Sequence, residues 1–476
     1  MYMWITLIII CFIIYCWATW NYDYWKKNGI PYVEPVVFFG NLKEWILLKK
    51  NSGEVYSEFY WKFPNEAAVG IFKLREPQLM LRDMDLIKTV CVKEFKCFQD
   101  SDIYVDPSVD TIFGMNPIVA KGEKWKYVRN VHSKSPISKN IKEMFSLIME
   151  SSKNLIQTIE NNEGKVLKTK PLSQNYINDA LAICVFGLKT NLYHHYLHQV
   201  ISEKGSFFNA AYVAFTLVPQ LNQLLRIKFV ANKFKKNIIK IMKLISENHK
   251  INENGMNLIQ TLLDENSKCE SPKYSLEEMA AHATTLYGGL DNTSTLMAFV
   301  IYFLAQYPDT QAKIKAEIKL ISNIDYENVR QMKYLDSVIN ETLRLYTSGQ
   351  VLRRTCTKDI ILKSENKSYP ITKGMTVAIP VYAIHRDPKY FTNPLEFDPD
   401  RFYNNISSYF MPFGIGPRAC MNPKFGLAMV KAALVNILKN YKIISTNHKE
   451  ELPTLNHHSL FITPKKELEV IFVKDC

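Results

Sequence analysis

From Met3 to Trp20 the chain carries no charged residue and is dominated by Ile, Leu, Phe, Tyr and Trp, a run long enough to cross a bilayer as a helix. It lacks the basic leader and small-residue cleavage site of a signal peptide. It therefore predicts a retained anchor, and Lys26 and Lys27 directly behind it put the body of the protein on the cytosolic side. Gly29, Pro31 and Pro35 then make a stiff stretch that turns the chain from anchor to globule. Farther on, short apolar runs flanked by turn residues predict strands at 69–74, 78–82, 376–379 and 468–473. Between them the periodicity is mostly helical. Ser275-Leu276-Glu277-Glu278 reads as a capping box with no proline until Pro308, which predicts one very long helix crossing the core. The uncharged stretch 207–219 suits a substrate entrance, a segment dipping into the membrane, or buried core. The pattern gives a mainly α protein with a smaller β-rich region, divided into an anchor at 1–22, a proline-containing hinge at 23–40 and one large body at 41–476.

Composition narrows the class. The 476 residues show no Gly/Ser/Pro-rich linker and no internal repeat, so one unit behind the anchor fits better than several domains. Nine cysteines, an odd number, are scattered without a C-x-x-C pair or disulfide-dense spacing, which points to a reducing compartment for the body. The formal charge of +13 is spread without a long basic run. That argues against nucleic acid and suits an anionic membrane or an acidic redox partner.

The candidate chemistry is concentrated in Phe413-Gly414-Ile415-Gly416-Pro417-Arg418-Ala419-Cys420. A tight loop running into a helix N-terminus can hold a thiolate, because backbone N–H groups and the helix end stabilise its charge, and Gly414 and Gly416 supply the backbone freedom. Such a sulfur is a strongly donating axial ligand for a haem iron and favours O–O cleavage. Two other readings stand beside it, a buried structural cysteine and a nucleotide-type glycine loop. The second lacks a third glycine and a preceding strand. As F-x-x-G-x-R-x-C the octet resembles the cysteine loop of the cytochrome P-450 family.

Distant segments carry the same resemblance. Glu341-Thr342-Leu343-Arg344 is E-x-x-R, with both charges on one helical face. Phe397-Asp398-Pro399-Asp400-Arg401-Phe402 is similar to the family's P-x-R-F segment, and the resemblance makes Glu341, Arg344 and Arg401 a buried structural triad. Trp125-Lys126-Tyr127-Val128-Arg129 matches the W-x-x-x-R helix. The resemblance assigns Trp125, Arg129 and Arg418 to the haem propionates, with Phe413 beside the porphyrin, Cys420 on the iron, and His385 and Arg354 as further propionate contacts. Segments 24–32 and 179–191 resemble insect microsomal members of the detoxifying group, so the similarity covers nearly the whole chain.

Gly288-Gly289-Leu290-Asp291-Asn292-Thr293 aligns with the family's distal-helix pattern, in which glycines leave room for O2 and an acid and a threonine pass protons. Asp291 is present, but the threonine is replaced by Asn292, whose amide cannot hand on a proton as a hydroxyl does. Thr293 comes one residue late, about 100° around the helix. The family also prefers glycine two residues after the cysteine, where this chain has Asn422; asparagine tolerates left-handed backbone better than most residues. Thr347-Ser348-Gly349-Gln350 lacks the prolines usual after E-x-x-R. The resemblance implies haem b and a monooxygenase on a lipophilic substrate, in the endoplasmic reticulum membrane with a cytosolic catalytic domain. Electrons would come from NADPH through NADPH-cytochrome P-450 reductase, with cytochrome b5 as a further partner. The two asparagines leave open a haem-thiolate isomerase or dehydratase acting on peroxides, and a weakened haem- or hydrophobe-binding protein.

Overall fold

The apolar N-terminal run forms helix α1 (Tyr2–Thr19), with a mean hydropathy of 2.0 and only Ala18 buried. It is long and apolar enough to cross a membrane. The stretch behind it lies along the first strand: the Trp25 indole is fully buried and its N–H bonds to Ile71 O at 3.0 Å, and Val33 N bonds to Gly70 O at 3.0 Å. A Cβ on Gly70 would meet the Trp25 ring at 2.4 Å, so glycine is what lets the indole close over the sheet. The computed structural model describes residues 2–187, 217–218, 224–226, 228, 230–247, 257–365, 367–447, 452–457, 459 and 462–475. The stretch 207–219, apart from 217–218, and the end of segment 179–191 lie outside the described residues.

Apolar, β-branched runs bounded by turns build three small sheets. Strands β1 (Ala68–Lys73) and β2 (Glu76–Leu81) form a hairpin. Then come β3 (Val166–Lys168), β4 (Leu352–Thr355), the hairpin of β5 (Ile360–Lys363) and β6 (Ser368–Ile371), β7 (Thr376–Ile379), β8 (Tyr441–Ser445) and β9 (Glu469–Lys474). The largest sheet runs β1-β2-β7-β4, with β2 and β7 parallel and the other pairs antiparallel. Its register sets Arg353 opposite Ala378 and Arg354 opposite Val377, so β4 carries two arginines, both under 10 % exposed, into the interior. The four strands anticipated from the pattern form as β1, β2, β7 and β9 within one or two residues. β4 escaped the pattern because its arginines read as surface.

The helices that position the site are α2 (Gly122–Lys134), α3 (Thr169–Leu181), α4 (Leu276–Tyr287), α5 (Leu290–Gln306), α6 (Lys333–Leu345) and α7 (Pro423–Asn440). The long helix foreseen from Ser275 to Pro308 is interrupted: Gly288 and Gly289 form a turn between α4 and α5. Two adjacent glycines remove the side chains that stiffen a helix, which makes them a frequent place for a kink. The capping box is half formed. Ser275 Oγ accepts Glu278 N–H at 3.1 Å, but the Glu278 carboxylate takes the Tyr127 hydroxyl at 2.7 Å and so ties α4 to α2. Nearly every side chain of α5 from Ser294 to Ala305 is buried, with α3, α6 and α7 packed around it.

Glu341 and Arg344 of α6 are both 0 % exposed and form a fork at 2.7 and 2.8 Å. The remaining Arg344 N–H groups go to the carbonyls of His385, Pro394 and Glu396, so all five donors are used. Glu341 also accepts Asp398 N–H at 3.0 Å and Arg401 Nε–H at 3.2 Å. A buried ion pair is tolerated when its spare donors and acceptors are satisfied. Here the satisfied groups stitch residues 385–401 to α6, directly ahead of the cysteine loop.

Candidate active site

The cysteine loop is shaped by two glycines at φ +74°. Gly414 has room, its nearest neighbours being 3.7 Å from a built Cβ, whereas a Cβ on Gly416 would stand 2.0 Å from Cys91 O. Gly416 is therefore required both by its left-handed backbone and by the backbone that crosses it. The loop closes through Cys420 N–H to Phe413 O at 2.8 Å and Ala419 N–H to Gly416 O at 2.9 Å. Arg129 of α2 clamps it by donating to Ala419 O at 2.7 Å.

Cys420 keeps accessible surface, yet burial lifts its thiol above the usual range, opposed by the Asn422 backbone N–H and the Arg129 guanidinium. The thiol is thus accessible at its surface and crowded by protein around it. The two opposing groups are what a sulfur needs to exchange its proton for a metal cation.

Around the loop, positive charge exceeds negative. Arg129, Arg353, Arg354 and Arg418 face Asp100 and Asp102: Arg353 pairs with Asp102 at 3.1 Å, and Arg418 lies 3.8 Å from Asp100. Burial and the neighbouring Arg354 and Arg129 push Arg418 down to about 9, against the pull of Asp100. Arg418 stacks 4.6 Å from the Trp125 ring and donates to the carbonyls of Gln99, Pro117 and Ala120. Arg354 is more poorly satisfied: Nη1 donates to Arg353 O at 2.8 Å, while the buried Nε has no hydrogen-bond partner among the described residues. Four guanidiniums, with Lys121 beside them, against two carboxylates leave positive charge in excess in a partly dry place. That surplus fits a ligand bearing two carboxylates, and an orphaned Arg354 N–H fits one of them.

His385 does not join this group. It is 0 % exposed, its Nε2 accepts Met411 N–H at 3.0 Å, its ring lies against Phe410 and Phe391, and its carbonyl takes Arg344. Burial, with Arg344 and Arg386 nearby, depresses its imidazolium to about 3. A neutral histidine fixed in the triad's network braces the chain before the cysteine loop, while its buried Nδ1 has no hydrogen-bond partner among the described residues.

On the distal side the three candidates point different ways. Asn292 buries its amide oxygen without a hydrogen-bond partner among the described residues. Thr293 Oγ1 is 3.5 Å from a Cβ built on Gly426, six residues after the cysteine, and so faces α7. Asp291 leans toward α3, where its carboxylate is 3.9 Å from Lys170 Nζ. Lys170 also donates to Asp291 O at 3.0 Å and to Ser294 Oγ and Thr295 Oγ1 at 2.7 Å each. No motif flags Lys170, and only the packing of α3 on α5 brings it there. Among the described residues no group of three or more His, Cys, Asp or Glu gathers to bind a free metal ion.

Comparison with known proteins places the chain in a family. The family model described as Cytochrome P450 matches residues 30–472. The chain is 32% identical over 458 residues to cytochrome P450 6j1 of Blattella germanica, covering 90% of this chain and 89% of that one. It is also 32% identical over 505 residues to cytochrome P450 9e2 of the same cockroach, 93% of each, and 29% identical over 508 residues to cytochrome P450 6B1 of Papilio polyxenes, 100% of each. An accessible thiol, a surplus of guanidiniums beside it and a helix pair broken at two glycines are thus found in a chain that aligns over nine-tenths or more of its length with these proteins, and it belongs to the cytochrome P450 family, as a haem-thiolate monooxygenase.

Proposed function

We propose that Cys420 is the axial ligand of a haem b, with Arg129, Arg354 and Arg418 holding its propionates and Trp125 and Phe413 packing beside it. The observation that carries this reading is the thiol that is accessible and desolvated at once, with an N–H and a guanidinium opposing its burial. Bound there, haem supplies the activation of dioxygen and the transfer of one oxygen atom to an organic substrate.

The chain's own residues do the rest. Arg129 fixes the loop through Ala419 O and contributes positive charge beside the sulfur. Arg418, Arg354 and Arg353 neutralise anionic groups that water would otherwise have to solvate. Asn292 offers a hydrogen-bond acceptor on the distal side, while the Asp291 carboxylate stands 3.9 Å from Lys170. Glu341, Arg344 and Arg401 bear on the chemistry only by keeping the approach to the loop rigid.

The substrate is a small lipophilic molecule, xenobiotic or endogenous, which a membrane-bound enzyme meets at the bilayer. Electrons come from NADPH through NADPH-cytochrome P-450 reductase, with cytochrome b5 as a second donor; the +13 charge suits acidic redox partners. α1 anchors the protein in the endoplasmic reticulum membrane with the body cytosolic, in keeping with Lys26 and Lys27 behind it. The test is reduced-CO difference spectroscopy of the membrane-expressed chain beside Cys420→Ser, followed by NADPH-driven turnover with reductase. A thiolate-type Soret band in the wild type, lost in the variant, is expected. The same band in Cys420→Ser would overturn the ligand assignment.

A further inference from the structure

Gly289, which precedes α5, has no side chain with which to cap it, so the first turn after the glycine break has to be placed from outside. Lys170 does this from the first turn of α3. Its Nζ donates to Asp291 O at 3.0 Å and to Ser294 Oγ and Thr295 Oγ1 at 2.7 Å each, and Ser294 Oγ passes a hydrogen bond on to Leu290 O at 2.7 Å. Ser294 and Thr295 are buried, and the lysine side chain is 16 % exposed. The base of the lysine is equally fixed: it stands two residues after β3, which pairs with β9, and Thr169 N–H bonds to Leu468 O at 2.8 Å. A cation beside the N-terminal turn of a helix opposes the helix dipole, and a buried ammonium is costly unless it is paired and hydrogen-bonded. Helix stability therefore does not account for the lysine; what its bonds achieve is to hold one face of the turn.

We propose that Lys170 is a positioning residue that fixes the rotation of the first turn of α5 about its axis and so decides where the Asn292 side chain points. The proposal rests on haem filling the site at the cysteine loop, with residue 292 on its distal side. Asp291, Ser294 and Thr295 share the face turned to α3, whereas Asn292 comes about 100° farther round. Bonds to two successive turns on one face resist rotation as well as translation. A side chain reaches roughly 5–6 Å from the helix axis, so a slip of about 10° would carry the Asn292 amide by roughly 1 Å. A misplacement of that size can cost about a hundredfold in rate. The two adjacent glycines give the chain little local resistance to such a slip, and the brace comes from α3 instead.

The test uses the haem-loaded full chain in vesicles with reductase, and the variants Lys170→Met, Lys170→Arg, Thr295→Val, Asn292→Ala and Lys170→Met combined with Asn292→Ala. Two readouts are taken side by side: hydrogen exchange of the backbone amides of 290–298, which needs no turnover, and the ratio of product to hydrogen peroxide. Lys170→Met is expected to speed exchange in that segment about ten- to a hundredfold, the loss of a charge-assisted hydrogen bond, and to lower the ratio about three- to tenfold, the loss of one neutral bond at residue 292. Lys170→Arg should restore most of both. Should Lys170→Met fail to fold, Thr295→Val, which removes one acceptor at nearly constant shape, carries the test with a smaller shift in the same direction. In the Asn292→Ala background Lys170→Met should leave the ratio unchanged, because the lysine acts through residue 292. Wild-type exchange in Lys170→Met, or a further fall of the ratio in the double variant, would overturn the positioning role alone. Faster exchange in Lys170→Met together with a ratio that Asn292→Ala does not alter would overturn the distal reading of residue 292, and the positioning role with it.

Discussion

Asn292→Thr is expected to raise the share of NADPH electrons that end in product. The amide oxygen of Asn292 is buried without a hydrogen-bond partner among the described residues. An amide does not relay protons near neutral pH, whereas a hydroxyl donates and accepts through the same atom. Neither neighbour makes up for this: Thr293 faces Gly426, and the Asp291 carboxylate leans toward Lys170 at 3.9 Å. Protons therefore reach the site of dioxygen reduction without a positioned hydroxyl, and part of the flux ends as hydrogen peroxide. Positioned acid–base groups contribute about 10²–10⁴ in rate. One hydroxyl added where Asp291 already stands nearby belongs at or just below the bottom of that range, so the ratio of product to peroxide should rise about ten- to a hundredfold, or about 1.4–2.8 kcal/mol. The assay measures NADPH consumed, peroxide and product side by side for wild type and variant, reconstituted with reductase in vesicles. An unchanged or lower ratio would refute the reasoning. It would mean that Asn292 suits this enzyme's own chemistry, and would favour a reaction that rearranges a peroxide already made.

Glu341→Ala removes the acceptor of Arg344, Arg401 and the Asp398 N–H at once, leaving a fully buried guanidinium uncompensated; a loss of about 3–5 kcal/mol is expected, read as a lowered unfolding temperature, and a change under about 1 kcal/mol would contradict the triad's structural role. Gly416→Ala, with its Cβ driven against Cys91 O, should yield protein carrying little haem, whereas Gly414→Ala, strained in φ but not crowded, should still load; pigment per chain measures both. Burial depresses His132 to about 3, His282 to about 4 and His385 to about 3. Folded values below the unfolded one mean that their full contribution is present above about pH 6.5 and is lost as pH falls toward 4. The slope is up to about 1.4 kcal/mol per pH unit for each. Urea midpoints at pH 7, 6 and 5 should fall accordingly, and replacing His132 by Leu together with His282 by Ala should flatten the decline.

What could be read in the sequence was what local spacing encodes. The cysteine octet, E-x-x-R and W-x-x-x-R each place their key side chains within one or two turns of backbone, and the structure brings Arg129 and Trp125 of α2 against the loop that carries Arg418 and Cys420. The four strands found from the pattern are those whose burial is apolar. β4 was missed because Asp102, far away in sequence, makes Arg353 a core residue. A lone histidine in a strand-to-loop segment such as His385 does not reveal which way it turns; Met411 and Arg344 hold it. Lys170 left no trace, since its partners lie 121 to 125 residues farther on. The break at Gly288-Gly289 was visible as two glycines, but the capping box and the long proline-free run argued for continuity, and only the packed structure shows which signal prevails.

The four guanidiniums set against two carboxylates also bear on how the protein matures. Like charges brought together by folding repel, so the chain must hold this cluster at a cost until an anion arrives. With haem bound as proposed, its two carboxylates would supply the missing counter-charge. Its binding free energy adds to the stability of the fold by linkage, most strongly at the sheet edge and loop where the arginines converge. Haem uptake on this view is the last step of folding for that half of the molecule, and a shortage of haem would first show as loss of protein rather than as a pool of inactive enzyme.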